Sequence, residues 1–323
     1  MTKQRIREWY EHWDGEVYVS FSGGKDSTVL LDIVRSMYPD VPAVFVDTGL
    51  EYPEIREFVK RFDNVTWLKP KMTFKQVIEK YGYPFISKEV SDCVGMAQRG
   101  FKSGFDKLNG VDKDGNPSDF RKGFKKWNFL IDIPYKLSDE CCFINKKAPA
   151  KKYEKETGKK PIVGTMASEG ALRKTSWLRT GCNAFESKRP MSSPMSFWFD
   201  QDVLLYAKLH NLPLASVYGE IVYDNSDNEN FDGQLKFGDV ESWKDCGIFD
   251  NERPMLKTTG CDRTGCMFCA YGCHLNNDQR FVTMKTTHPK QYEWIMKPWD
   301  EGGLGYKEII DWINEFGNLN IKY

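Results

Sequence analysis

Hydrophobic and polar positions alternate between two periods in the first part of the chain. Glu16 to Phe21 is a short apolar, β-branched run that predicts a buried strand. From Asp26 to Met37 the apolar residues Val29, Ile33 and Met37, with Leu30 and Val34 beside them, recur at helical spacing. The alternation then repeats. Ala43 to Asp47 predicts a second strand, Pro53 opens a helix whose stripe is Ile55, Phe58, Val59 and Phe62, Val65 to Leu68 predicts a third strand, and Thr73 caps a helix through Lys80. Strand and helix alternating in this way predict an α/β fold with a parallel sheet and right-handed crossovers.

From about Lys88 to Lys160 the pattern breaks into a lysine-rich stretch with turn signals such as NGVDKDGNP, which we read as an insertion. A strand returns at Pro161 to Gly164, and Asp200 opens a helix to His210 with Val203, Leu204 and Ala207 inward. Residues 224–257 are polar and turn-rich, and two amphipathic helices, around His288 to Lys297 and Tyr306 to Phe316, follow. The expected organisation is a nucleotide-binding domain over 1–220 carrying the 88–160 insertion, then a small cysteine-cluster and helical region over 221–323.

With 323 residues, 40% of them hydrophobic, the chain is long enough to bury a large core. No stretch has the apolar length of a membrane helix and the first residues lack an apolar signal core, so the expected location is the cytoplasm, with no membrane partner. Zero net charge excludes a global field toward nucleic acid or anionic lipid, although lysines gather in RKGFKKW and KKAPAKKYEKETGKK, where a solvated surface is the simpler reading.

At the first strand–helix junction stands Ser22-Gly23-Gly24-Lys25-Asp26-Ser27. A glycine-rich turn entering a helix aims backbone N–H groups at open space at the positive end of the helix dipole, which suits an anion. Lys25 adds a full charge and Ser22 and Ser27 add hydroxyls, so the fit is to a phosphate or pyrophosphate. The spacing is neither G-x-x-x-x-G-K-[ST] nor G-x-G-x-x-G. Asp26 is either a Mg2+ ligand or an ordinary partner of the helix dipole.

SFSGGKDSTVLL resembles the pyrophosphate-binding loop of the N-type ATP pyrophosphatases, the superfamily that includes phosphoadenylylsulfate (PAPS) reductases, ATP sulfurylase small subunits and tRNA thiolation enzymes. VFVDTGLEYPEIREFV, IVGTMASEGALRKTSW and SPMSFWFDQDVLLYAKLHNLPLASVYG resemble, in the same order, later motifs of the PAPS reductase branch. The resemblance implies an adenine nucleotide alpha hydrolase-like, Rossmann-like parallel sheet with helices on both faces and a site at the carboxyl ends of its strands. It implies that Ser22 to Ser27 hold phosphates, that Asp47, Thr48 and Glu51 lie nearby, and that Arg173 reaches the nucleotide or a substrate anion. Lys25, Asp26 and Arg173 would then be the catalytic residues, with ATP and Mg2+, or with PAPS or adenylylsulfate.

Nine cysteines are an odd number for a disulfide framework, and Cys261, Cys266, Cys269 and Cys273 crowd one segment with the spacing C-x4-C-x2-C-x3-C. This is closer to iron–sulfur loops than to zinc ribbons, so a 4Fe-4S cluster is expected, with zinc as the alternative and structural cysteines as a third reading. A pyrophosphate loop followed by such a segment resembles the DNA phosphorothioation sulfurtransferases. Cys141-Cys142 resembles the pair that joins a distant C-x2-C around a cluster in assimilatory adenylylsulfate reductases, which makes Cys142 a competing ligand. Cys93, Cys182 and Cys246 read as small buried residues. No cysteine follows Cys273, where sulfonucleotide reductases carry their sulfur-attacking thiol. The expected function is therefore cleavage of ATP to AMP and pyrophosphate, adenylylating an acceptor (nucleic acid is one candidate) or supporting sulfur transfer. Sulfonucleotide reduction, and a non-catalytic nucleotide-binding module of a phage or defence complex, are the alternatives.

Overall fold

The structure, a computed structural model, describes residues 1–224 and 255–323, with the side chains of 120–122 left aside. In chain order the first elements are α1 (Thr2–His12), β1 (Val17–Ser20), α2 (Lys25–Met37), β2 (Ala43–Val46), α3 (Pro53–Val59), β3 (Val65–Leu68), α4 (Phe74–Tyr81) and β4 (Phe85–Ile86). Then come α5 (Lys88–Gln98), α6 (Lys102–Leu108), a run of 3-10 turns (Asp119–Asp132), the single turn α7 (Glu140–Cys142) leading into a π turn (Phe143–Lys147), α8 (Ala148–Thr157) and β5 (Lys160–Val163). The chain continues through α9 (Ala171–Thr180), β6 (Asn183–Ala184), β7 (Met191–Ser192), α10 (Asp200–Leu209), β8 (Ile221–Tyr223), β9 (Leu256–Thr258), β10 (Ala270–Tyr271), α11 (Arg280–Thr287), α12 (Pro289–Met296) and α13 (Tyr306–Gly317). Among the described residues no helix is long and apolar enough to cross a membrane.

These elements form two compact units, one of Met1–Val46, Glu51–Leu68 and Tyr153–Gly265, the other of Asp47–Leu50, Lys69–Lys152 and Cys266–Tyr323. The first unit holds a six-stranded sheet in the order β3-β2-β1-β5-β7-β6, parallel except for the β6–β7 pair. This is the α/β parallel sheet that the alternating pattern predicts. The strands read as continuous apolar runs because they are covered: Val17, Val19, Ala43 and Ile162 are fully buried, packed with Val29, Leu30 and Val34 of α2 and with Ile55 and Val59 of α3. The chain runs from β1 outward through β2 and β3, then returns to the other side of β1 with β5. That reversal creates a crevice at the carboxyl ends of β1 and β5, where open α/β sheets bind ligands.

The second unit is helical apart from one short parallel pair, β4 with β10. The lysine-rich stretch hides an apolar face there: Val90, Cys93, Val94 and Ala97 of α5 are buried, at the spacing of a helix stripe. Thr73 and Gln76 close a capping box at the start of α4. Tyr306, Ile309, Ile310 and Ile313 form the buried stripe of α13, and the Tyr306 hydroxyl donates to the Phe268 carbonyl at 2.7 Å. Cys93 is buried and Cys182 half-buried, while Cys246 and most of the turn-rich stretch 224–257 lie outside the described residues. The division at residue 220 stays a proposal about sequence modules.

Ile162 pairs with both Val19 and Ser192 at the centre of the sheet and is fully buried. Ile162→Ala is expected to cost about 2–5 kcal/mol, the combined loss of transfer energy and of a filled cavity. Urea unfolding checks this as a lower midpoint at an unchanged slope.

Candidate functional site

β1 ends in a loop shaped by its own side chains. The Ser22 N–H donates to Ser27 Oγ at 3.1 Å, the two hydroxyls share a 3.0 Å hydrogen bond, and Ser27 and Thr28 donate to the Gly24 carbonyl at 2.9 and 3.0 Å. Gly23 has φ +71, and a Cβ there would stand 2.8 Å from the side chains of Ile55 and Val59, so only glycine lets α3 close on the loop. Gly164, just after β5, packs backbone to backbone on the first turn of α2: a Cβ would lie 3.1 Å from the Asp26 carbonyl oxygen. The two carboxyl ends therefore meet at this loop.

Lys25 is 3% exposed, with its Nζ 2.8 Å from Asp26 and 2.6 Å from Asp200 at the start of α10. Burial alone would lower the ammonium's pKa, but the two carboxylates outweigh it and hold it above the ordinary lysine value. The Lys25 backbone N–H donates to the Tyr218 hydroxyl at 3.0 Å, and that hydroxyl shares a 2.6 Å hydrogen bond with Thr264. A hydroxyl and a carboxylate thus already occupy the two groups of Lys25 that an incoming phosphate would engage. Asp26, as it stands, is a partner of Lys25.

Beyond the loop, the Glu169 side chain is 7% exposed and accepts from Arg173, from Arg263 and from the Met166 N–H. Burial first, then repulsion from Arg263, lowers the Arg173 pKa, and Asp26 opposes both. Arg263 and Thr264 are held in place because the preceding residues pair with the loop at 217–220: Thr259, Gly260 and Cys261 donate backbone N–H groups to Glu220, Tyr218 and Val217 at 3.0, 2.9 and 2.9 Å. Sequence reasoning assigned Cys261–Cys273 to a cluster alone and missed Glu169, Asp200, Arg263 and Thr264. Tyr218 falls within the motif SPMSFWFDQDVLLYAKLHNLPLASVYG.

Asp47 and Thr48 fold a turn that belongs to the second unit. Asp47 accepts the Gly49 N–H at 3.2 Å, Thr48 accepts the Leu50 N–H at 3.1 Å, and the Leu50 carbonyl accepts from Met267 at 2.8 Å. Glu51 is half-buried.

The same unit gathers cysteines from two distant segments. Cys141 and Cys142 hydrogen-bond each other, and Cys141 is raised by that bond, by burial, and by the nearby Cys269 and Cys266. The bond lowers Cys142 against burial, helped by Lys88, Lys146 and Lys147. Burial raises Cys269, and pushes Cys273 up to about 12. Cys261 belongs to the first unit, where burial raises its thiol and a hydrogen bond with Tyr52 opposes the rise. Among the described residues no group of three or more His, Cys, Asp or Glu could hold a metal ion as it stands. In chemistry, though, the Cys141, Cys142, Cys266 and Cys269 set fits a soft metal or an iron–sulfur cluster: it offers four thiols, nearby lysines to balance thiolate charge, and a buried Asn145 amide with no hydrogen-bond partner among the described residues.

The sequence model of the phosphoadenosine phosphosulfate reductase domain matches residues 16–95, which begin at β1 and include the whole loop. Over those residues the chain is similar to the PAPS reductase domain. An uncharacterized protein of Methanocaldococcus jannaschii is 38% identical over 87 residues, 24% of this chain and 21% of that protein. The adenosine 5'-phosphosulfate reductase of Staphylococcus epidermidis strain RP62A is 27% identical over 95 residues, 27% of this chain and 39% of the enzyme. The chain thus spans 21–39% of the length of these curated relatives. Among solved structures, that of PAPS reductase from Candida auris in its phosphate complex matches with a TM-score of 0.39 at 16% identity, covering 67% of this chain and 83% of that one.

Because Asp200 is half exposed, its pair with Lys25 is screened and is worth about 0.2–1 kcal/mol. Asp200→Asn is expected to strengthen inorganic pyrophosphate binding by that amount, read by calorimetric titration. Weaker binding would show instead that Asp200 positions the ammonium for its ligand.

Proposed function

We propose that this chain, whose residues 16–95 match the PAPS reductase domain, binds an adenine nucleotide at Ser22–Ser27 and acts on a sulfonucleotide, adenylylsulfate or PAPS, as a reductase-like enzyme carrying a 4Fe-4S cluster. The observation that carries the reading is the buried Lys25 ammonium at the β1–β5 crevice, displayed from a loop of the matched family domain. The activity of the Staphylococcus epidermidis relative supports the substrate class. When a thiolate attacks the sulfur, the S–O bond breaks and the nucleotide leaves as a phosphate anion. Lys25, at the positive end of α2, would stabilise that leaving charge, and Arg173 and Arg263 would hold the second anionic group. Reduction to sulfite then requires a second thiol, which becomes half of a disulfide.

The cluster ligands we propose are Cys142, Cys266 and Cys269, with Cys141 supplying the fourth from the same unit; Cys273 and Cys261 are the competitors. Bound there, the cluster would add electron-transfer capacity or positive electrostatics.

A second reading, cleavage of ATP with Mg2+ to AMP and pyrophosphate for transfer to an acceptor, is favoured by one observation. The last cysteine, Cys273, is 3% exposed and its buried thiol is held up at about 12, so it is a poor nucleophile near neutrality.

Anaerobically purified protein, incubated separately with adenylylsulfate, PAPS and Mg-ATP in the presence of a dithiol, decides between the two. Sulfite with AMP or adenosine 3',5'-bisphosphate is the expected product, whereas pyrophosphate from ATP alone would replace the first reading with the second. Lys25→Met is expected to weaken nucleotide binding by about 1.5–3 kcal/mol, the range of a charged hydrogen bond. The side chain is also part of the fold. Its burial between two carboxylates means the variant should also melt at a lower temperature, which calorimetry reads separately.

A further inference from the structure

Asn145 lies in the π turn that follows the cysteine pair, four positions after Cys141 and three after Cys142. Residues at those spacings share a helix face, and Asn145 is 1% exposed while Cys141 is 8% exposed. Both ends of its side-chain amide lack a hydrogen-bond partner among the described residues. A buried amide left unpaired costs about 1–3 kcal/mol, so such a group calls for a partner that completes it. Single π turns inside helices recur at functional sites, and this one carries Asn145 just after the two thiols in the chain. The lysines that follow it are otherwise engaged: Lys146 and Lys147 act on Cys142 by charge.

We propose that the Asn145 amide N–H donates a hydrogen bond to a sulfur of the cluster bound by the neighbouring cysteines and thereby raises its reduction potential. The inference rests on the cluster reading above. Hydrogen bonds to cluster or ligand sulfurs stabilise the extra negative charge of the reduced state, which is how proteins tune such centres from outside the ligand set. The loss of that donor makes the cluster harder to reduce.

Spectroelectrochemical titration of the full-length, anaerobically purified protein tests this, comparing unmodified protein with Asn145→Leu, which keeps the volume and removes both polar ends. At a fixed applied potential the ratio of reduced to oxidised cluster is expected to fall about tenfold, equivalent to about 59 mV for one electron. The metal-free Leu variant is expected to melt no lower than unmodified metal-free protein, because the orphaned amide is gone. Asn145→Ala, which demands no extra room, should give the same potential shift if the Leu variant does not accumulate. A cluster of unchanged potential in these variants would overturn the Asn145 assignment while leaving the cluster reading intact. Unmodified protein that holds no iron and sulfide would overturn both.

Discussion

An ammonium that is 3% exposed has to be compensated by charges held in fixed places, and much of the first unit can be read as the means of doing so at Lys25. Asp26 comes from the next residue of the same helix, but Asp200 comes from the start of a helix far along the chain. For Asp200 to arrive there, β5 must return beside β1 and the segment after it must lead α10 onto α2, a packing also marked by the Tyr206 hydroxyl donating to Asp32 at 2.7 Å. The same requirement brings Tyr218 onto the Lys25 amide. A charge that is costly to bury thus links the loop to elements that periodicity alone would leave unrelated.

The central strands were legible because burial on both faces leaves unbroken apolar runs, as at Ala43–Val46, while the partly buried edge strand Val65–Leu68 and the stripe of α10 also fall where the pattern predicts. The helices of the lysine-rich stretch were not. α5 carries Lys88 and Glu89 at its start and small residues, Cys93, Gly95 and Ala97, on its inner face, so its stripe is weak in hydrophobicity although it is well packed. α11 escaped notice for a similar reason, with only Phe281 and Met284 buried.

At the site, the loop was legible because its six residues are consecutive in the chain. Glu169, Arg263 and Thr264 depend on contacts between segments distant in sequence, and no spacing rule announces such contacts. The short cysteine motif also divides. Cys261 belongs with the unit of the Ser22–Ser27 loop, and Cys266, Cys269 and Cys273 belong with Cys141 and Cys142. Four residues separate Cys261 from Cys266, and within them the chain passes from one compact unit to the other.

The pairing of β4 with β10 places Phe85 and Ile86 beside Ala270 and Tyr271, so the second unit closes only when the later segment exists. During synthesis Cys142 emerges 124 residues before Cys266. At about 5–20 residues per second that interval is on the order of ten seconds. Through that time the Cys141–Cys142 pair has no partner segment to cover it. Assembly of this unit is thus a problem of timing as well as of packing, and a reducing environment during translation protects the pair until the chain's later cysteines arrive.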